Sequence, residues 1–229
     1  MKDLTEILKE VVDKINLELN VIDIQGNKIF LCNTLHLAVE DIIEDGNSNK
    51  YQITEMTVNE FIVVIPVDGA PDPFNSSIVV CPPPVFLFGT PASTNNEYLA
   101  LDADSAEKLP LIWLLENYEE TFFGRESSIE RRSAFRIFFL DETDEEEWLN
   151  KEHHQLVIQP MMNLCEAFID AINADRTFKT FEQVTKIPRV RFGVYRTNQG
   201  NERKIIDENI SGVELAASFE KFKTYNCKC

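Results

Sequence analysis

The residue types that come nearest to a catalytic centre lie between Asp141 and His154. An acidic run, Asp141-Glu-Thr-Asp-Glu-Glu-Glu147, is followed by the neighbouring pair His153 and His154. Divalent cations such as calcium collect carboxylate oxygens, and zinc accepts imidazole nitrogen. The spacing fits neither. A calcium loop alternates Asp or Asn around a glycine and closes on Glu, a pattern the run lacks. Adjacent residues on a helix diverge by about 100°, whereas a helical metal pair needs a separation of three or four. His36 is the only other histidine, and no H-E-x-x-H occurs. Carboxylates near the positive end of a helix that begins there are the better account of the run. A metal-dependent hydrolase built from Asp141 to Glu147 with His153 or His154 is the enzymatic alternative.

Other chemistries find less. Gly89-Thr-Pro-Ala-Ser-Thr94 lacks the second glycine and the lysine of a phosphate loop, and neither G-x-G-x-x-G nor G-x-S-x-G is present. Cys227 and Cys229 form a tail pair with no second pair elsewhere, so free thiols are the simpler reading. No catalytic residue, metal site or cofactor is predicted.

The remaining reactive groups suggest contact. The chain carries 22 Lys and Arg against 39 Asp and Glu, a formal charge of −17, which repels a phosphate backbone. Against this background Arg125, Arg131 and Arg132 cluster at one predicted hairpin, and Lys186, Arg189, Arg191 and Arg196 in one late strand region. They read as ion-pair partners for a neighbouring subunit or for the protein's own carboxylates. Phe74, between Pro71, Pro73 and Asn75, sits in a Pro/Asp loop that a small domain can hardly bury, and reads as an anchor into a partner.

The elements that must position these groups follow from periodicity. Leu4, Ile7, Leu8, Val11, Val12, Ile15 and Leu19 predict a helix to about Asn20, opened by a capping box of Asp3 and Glu6. From Val21 β-branched runs alternate with turn formers, through Leu35 to Ile43, Lys50 to Met56 and Glu60 to Val67, predicting a small antiparallel β unit. Proline-dense segments, Asp68 to Asn75, Cys81-Pro-Pro-Pro84 and Gly89 to Asn96, predict projecting loops around short strands at 78–80 and 85–88. Leu111 to Phe123 and Ile129 to Leu140 predict a long hairpin through Gly124 to Ser128. A helix with Met161, Leu164, Cys165, Phe168, Ile169 and Ile172 on one face follows. Pro160 predicts a kink there or a main helix starting near Gln159. Strands at Thr177 to Thr185, Arg189 to Arg196 and Gly212 to Tyr225, with a polar turn at Asn198 to Asn201, close the chain. The predicted class is α+β: an antiparallel or mixed sheet packed by an N-terminal helix and a long kinked helix. Residues 1–20 and 102–229 form its core, with residues 21–101 inserted as a β subdomain bearing Pro-rich loops.

That order of elements resembles the tail terminator and neck-ring proteins of tailed bacteriophages. The resemblance is carried by Leu111-Ile-Trp-Leu-Leu-Glu116, the charged hairpin tip to Arg132, Phe135-Arg-Ile-Phe-Phe-Leu140, Trp148, and His153 through Ile169 with Gln159-Pro-Met-Met162. It covers the first helix and roughly Leu109 to Thr224, and the β unit from Val21 to Leu101 departs from it. It implies a structural virion protein, made in the host cytoplasm. This would assemble as a six- or twelve-fold homo-oligomeric ring at the neck or head-proximal end of the tail. Such a ring joins head to tail, caps the tube, contacts connector and tube or sheath proteins, and lets DNA pass without specific binding. Heterologous ring contacts need two different complementary patches per subunit. Pro71, Pro73, Phe74, Arg125, Arg131, Arg132, Arg189 and Arg191 are the interface residues predicted. No apolar stretch is long enough to span a membrane, no secretory signal is read at the amino terminus, and the scattered, odd-numbered cysteines suit a reduced compartment. A non-virion cytoplasmic adaptor is the third reading.

Overall fold

A computed structural model describes residues 3–101, 108–123, 130–143, 150–175, 178, 183–196, 202–204 and 209–221. The fold is mixed α+β and rich in sheet. Helix α1 spans Leu4–Val12, and its capping box forms: Glu6 N donates to Asp3 Oδ1 at 2.8 Å and Asp3 N to Glu6 Oε2 at 3.2 Å. The helix stops eight residues short of the predicted Asn20. Leu19 fits a helical repeat but equally fits strand alternation, and strand β1 (Glu18–Gln25) claims it. There its backbone pairs with β6 (Ile78–Val80), Leu19 opposite Val79, and its side chain enters a separate core. Long-range pairing overrides a local preference worth only tenths of a kcal/mol per residue, on the order of the intrinsic scale.

Strands β1, β2 (Lys28–Leu31), β3 (Ile42–Asp45), β4 (Lys50–Thr57), β5 (Phe61–Pro66) and β6 close into a barrel in the order β1-β2-β5-β4-β3-β6, every pair antiparallel. Alternate residues point inward, so Ile29, Leu31, Ile43, Tyr51, Ile53, Ile62, Val64 and Val79 pack its interior. The predicted run from Leu35 is extended only from Ile42. Before that, Leu35 and Leu37 plug the barrel base as loop residues, Leu35 with φ of 46°.

The second sheet runs β11 (Gln183–Phe192), β14 (Ile210–Lys221), β10 (Glu130–Glu142), β8 (Leu111–Leu115), β7 (Val85–Gly89), with β9 (Glu119–Phe123) also paired to β10. The predicted hairpin therefore has a broken first arm: β8 lies along Ile137 to Leu140 and β9 along Glu130 to Ala134. β7 pairs parallel with β8, which makes the sheet mixed and draws residues 85–89 away from the barrel. The strands predicted to end at Thr185 and to begin at Arg189 are joined in β11, which runs through Pro188. β11 is an edge strand, where a missing N–H breaks no ladder. A short pair, β12 (Val194–Arg196) and β13 (Glu202–Lys204), follows it.

One face of this sheet buries Phe135, Ile137, Phe139, Leu215 and Phe219 against α1 and α4 (Gln159–Ala174). α4 is preceded by a short α3 (Asn150–His153) and a π-helical turn over His154–Ile158. Pro160, second in α4, has no N–H to donate, and the widened turn before it makes room for its ring. The opposite face buries Trp113, Phe138, Leu111, Leu140 and Ile210 beneath α2 (Pro91–Ala100). The segment predicted as a projecting loop from Gly89 to Asn96 is this helix. Thr90 Oγ1 accepts from Ser93 N at 3.3 Å as N-cap, Pro91 takes the first turn, and Tyr98 is buried. Trp113 Nε1 donates to Gly89 O at 3.2 Å, which satisfies the indole under its cover.

The barrel stands on the helix-backed side. Leu17 and Ala167 pack against both cores. Asn163 Nδ2 on α4 donates to Leu35 O at 3.2 Å and to Asn59 Oδ1 at 3.0 Å, while Thr34 N and Asn59 N bond across the same loops. Because the strands alternate in direction, the turns at 26–27, 46–49 and 67–77 lie at the far end from α4, and those at 32–41 and 58–60 at the base.

Candidate assembly interface

Among the described residues, no helix lies over the part of the sheet beyond the aromatic cluster on the α2 side. Strand alternation there presents Arg132, Ala134 and Arg136 of β10, Glu214, Ala216 and Ser218 of β14, and Thr185 and Arg189 of β11. Small side chains at 134, 216 and 218 sink the surface into a trough of about 520 Å³, walled by Asn117, Tyr118 and Glu119 where the chain crosses from β8 to β9. The break in the predicted hairpin arm thus forms one wall.

Arginines and carboxylates frame the trough. Glu214, only 3% exposed at its side chain, accepts from Arg189 Nε at 2.7 Å, with Arg136 Nε 3.6 Å away. Arg132 donates from Nη2 at 2.6 Å and Nε at 3.1 Å to Glu220. A carboxylate taken out of water costs several kcal/mol, on the order of the ionic desolvation penalty, unless it is paired in this way. Arg136 reaches outward with 60% of its side chain in solvent. Arg131 points to the helix-backed face, where it is buried and pairs with Glu120, which also accepts from Ser133 Oγ at 3.2 Å. Burial pulls the Arg131 guanidinium below its ordinary range, partly offset by the charges of Tyr118 and Asp3. The self-pairing explanation of the arginines therefore holds for Arg131, Arg132 and Arg189. Arg191 is exposed at a bulge with φ of 59°, and Arg125 lies outside the described residues.

Phe74 corrects its prediction. It is buried, and its ring meets Tyr51 edge-on at 4.9 Å inside the barrel's far end. The barrel offers what a loop alone could not, an open end with an apolar interior. Pro71 and Pro73 stay exposed on either side of Asp72. The loop is tied down by Phe74 N to Asn27 Oδ1 at 3.0 Å, Asn27 Nδ2 to Asp72 Oδ1 at 2.9 Å and Tyr51 Oη to Pro71 O at 3.0 Å.

Of the groups considered for catalysis, the described ones do not converge. His153 is buried and His154 exposed, on different sides of the π turn. Among the described residues no three of His, Cys, Asp and Glu are placed to hold a metal ion; residues 144–149, with most of the acidic run and Trp148, lie outside them, as do Cys227 and Cys229. Cys165 is a buried thiol pushed up to about 12, chiefly by burial, and burial raises Cys81 further, so neither supplies a thiolate. His36 sits at the barrel base, its Nε2 2.8 Å from Pro82 O, and burial lowers it to about 4. Its imidazole is neutral at pH 7. Half-buried Asp141, at the end of β10, is raised to about 7 by burial first, then by the charges of Asp41 and Glu142, against a lowering bond from Glu142 N.

Sequence reasoning singled out the arginines but missed the trough, the partnership with Glu214 and Glu220, and the role of small residues at 134, 216 and 218. A weak signal existed in the alternation of Ala134 and Arg136 against Phe135 and Ile137. Among the described residues no helix is long and apolar enough to cross a membrane. No protein family, curated protein or solved structure was found to match the chain.

Proposed function

We propose that the protein is a structural ring subunit of a tailed bacteriophage, placed at the neck or head-proximal end of the tail, where it joins head to tail and caps the tube. One observation supports this reading above others: two unlike surfaces lie on opposite sides of the subunit. On one side stands a barrel with a tied acidic loop at its far end; on the other lies a trough with Arg136 at its edge and no helix over it among the described residues. A closed ring needs such a pair, since each copy presents one surface and receives the other. The finer arrangement, an inserted β subdomain carried by a helix-packed sheet, belongs to this proposal, as does a ring of six or twelve copies with an acidic wall that does not hold passing DNA. Light scattering coupled to size-exclusion chromatography, with imaging of the largest species, tests it: closed rings are expected, and a chain that stays monomeric up to its solubility limit overturns it.

A further inference from the structure

The two ends of the main sheet differ in how they are guarded. β11 carries Lys186, Pro188, Arg189 and Arg191 and is bent by the bulge between Arg189 and Phe192. Charge, proline and a bulge are the usual means of keeping an edge strand from pairing with another chain. β9, paired only to β10, carries Glu119 and Glu120. β7, Val85-Phe-Leu-Phe-Gly89, has none of these within it. It lies inside residues 73–96, the longest run without a charged side chain in a sequence of which 27% is charged.

The open backbone groups of β7 follow from its pairing. Val85 N donates to Pro110 O at 2.9 Å and Glu116 N to Gly89 O at 3.1 Å. In a parallel ladder alternate residues turn both backbone groups toward the same neighbour. Val85, Leu87 and Gly89 therefore face β8, and Phe86 and Phe88 turn theirs to the open side, where no described strand lies. Leu87 is buried beneath α2, Phe86 packs on the helix-backed core, and Phe88, on the same face as Phe86, is 47% exposed. Pro84 and Thr90 bound the open stretch: Pro84 has no N–H, and the Thr90 carbonyl already accepts from Thr94 N at 2.9 Å.

This arrangement is self-complementary. Laid antiparallel against another β7 and centred on Leu87, the strand sets Phe86 opposite Phe88 of the other copy, and each such pair exchanges two hydrogen bonds. The open groups of both residues are then filled. The same register sets Pro84 opposite Thr90 of the other copy, so the missing donor meets a carbonyl that needs none. Shifted by two residues either way, the ladder sets Phe88 opposite Pro84 or Phe86 opposite Thr90 and loses bonds on both copies. Each exposed Phe88 ring also comes beside the Phe86 ring across the axis, as directly opposed strand residues do. Charge selects the same occupant: two copies at −17 repel one another and approach best where neither presents a charge, whereas a partner of opposite sign is drawn to other parts of the surface.

We infer that β7 of one copy pairs antiparallel with β7 of a second about a twofold axis at Leu87, which joins two main sheets into one. The contact does not rest on the ring reading, because it is isologous, whereas a ring closes through two unlike patches. It involves no charge, so salt that screens the repulsion between copies tightens it.

The test is sedimentation of the full chain over a range of concentration and salt, with amide hydrogen exchange read residue by residue. A dimer that tightens as salt rises is expected. As it populates, exchange should slow at Phe86 and Phe88 and change little at Val85 and Leu87, whose amides are already bonded to β8. Phe88→Lys, which places a charge in the contact, should weaken the dimer about tenfold or more. Phe88→Pro, which removes the open N–H and no bond within the subunit, should do the same, while Phe88→Leu keeps the dimer; circular dichroism verifies that each variant folds. A wild-type chain that stays monomeric at high salt overturns the contact, as does a dimer whose Phe86 and Phe88 amides exchange as fast as in the monomer. Protection of those amides only by a different protein makes that protein's strand the occupant and overturns self-pairing. Rings that persist in Phe88→Lys with no protection at Phe86 overturn the twofold contact and leave the ring reading standing. Dimers protected at both residues that never grow into rings uphold the contact and overturn the ring.

Discussion

The barrel and the helix-backed sheet bury their apolar residues in opposite ways. In the barrel each strand has two neighbours, so no strand edge is left open and the core is sealed by the strands with Phe74 and Leu35 at its ends. The sheet ends in β11 and β7, is covered on one face by α1 and α4, and on the other, among the described residues, is covered where α2 lies. Closure pairs a unit's strand edges with one another, and an open sheet keeps a face for something else. Arg132, Arg136 and Arg189 sit on the open part.

Four perturbations test how separate the two regions are. Phe74→Ala should cost about 3–5 kcal/mol, the usual range for a buried ring, because it empties the end of the barrel. Urea unfolding followed at the barrel and at Trp113 separately would show whether the sheet falls with it; a loss below 1 kcal/mol would contradict the burial described. On the sheet side, Gly212 lies between β10 and β11, and a Cβ there would collide with the Phe139 carbonyl. Gly212→Ala should therefore destabilise by about 3 kcal/mol or more, since a backbone atom yields less than a side chain.

Asn163→Ala removes the donor that ties α4 to the barrel base and leaves the Leu35 carbonyl short of a partner. A loss of about 1–3 kcal/mol is expected, with hydrogen exchange rising at residues 33–37 and 58–60 rather than through the sheet. Uniform exchange across both regions would show that the latch does not hold them as argued.

The smallest effects are in pH. His36 is lowered from 6.5 to about 4, so the unfolded chain binds the extra proton between those values; its contribution is present above 6.5 and is lost as pH falls toward 4. Asp141 is raised from 3.8 to about 7, so the folded chain binds the extra proton; its contribution is full below 3.8 and is lost as pH rises through about 7. The barrel base and the end of β10 thus pull the stability profile in opposite directions. Unfolding free energies of His36→Gln and Asp141→Asn from pH 4 to 8 should each flatten one slope, that of Asp141 less because water reaches part of it.

Much of this was legible locally. The α1 capping box, the short strand at 78–80, the alternation of Phe135 to Phe139 and the start of the main helix near Gln159 all follow from patterns spanning a few residues. The errors share one cause. Leu19, Phe74 and the segment from Gly89 to Asn96 each follow their sequence neighbours in the prediction, a helix for the first and loops for the others, and each is claimed by something far along the chain: Val79, Tyr51 and the sheet under α2. The site divided in the same way. Arginines on an acidic chain stood out by composition, but Glu214 and Glu220 are ordinary strand residues until β14 is set beside β10 and β11.

By itself the sequence determined the element types, the acidic balance and the confinement of arginine to the second half of the chain, because these rest on residue chemistry and short periods. Tertiary structure alone decided that residues 18–80 close into a barrel, that Phe74 turns inward, and that a trough opens between β9 and β11. Each of those depends on which distant strands become neighbours, and a strand's pattern states that it has an inside without stating what it will face.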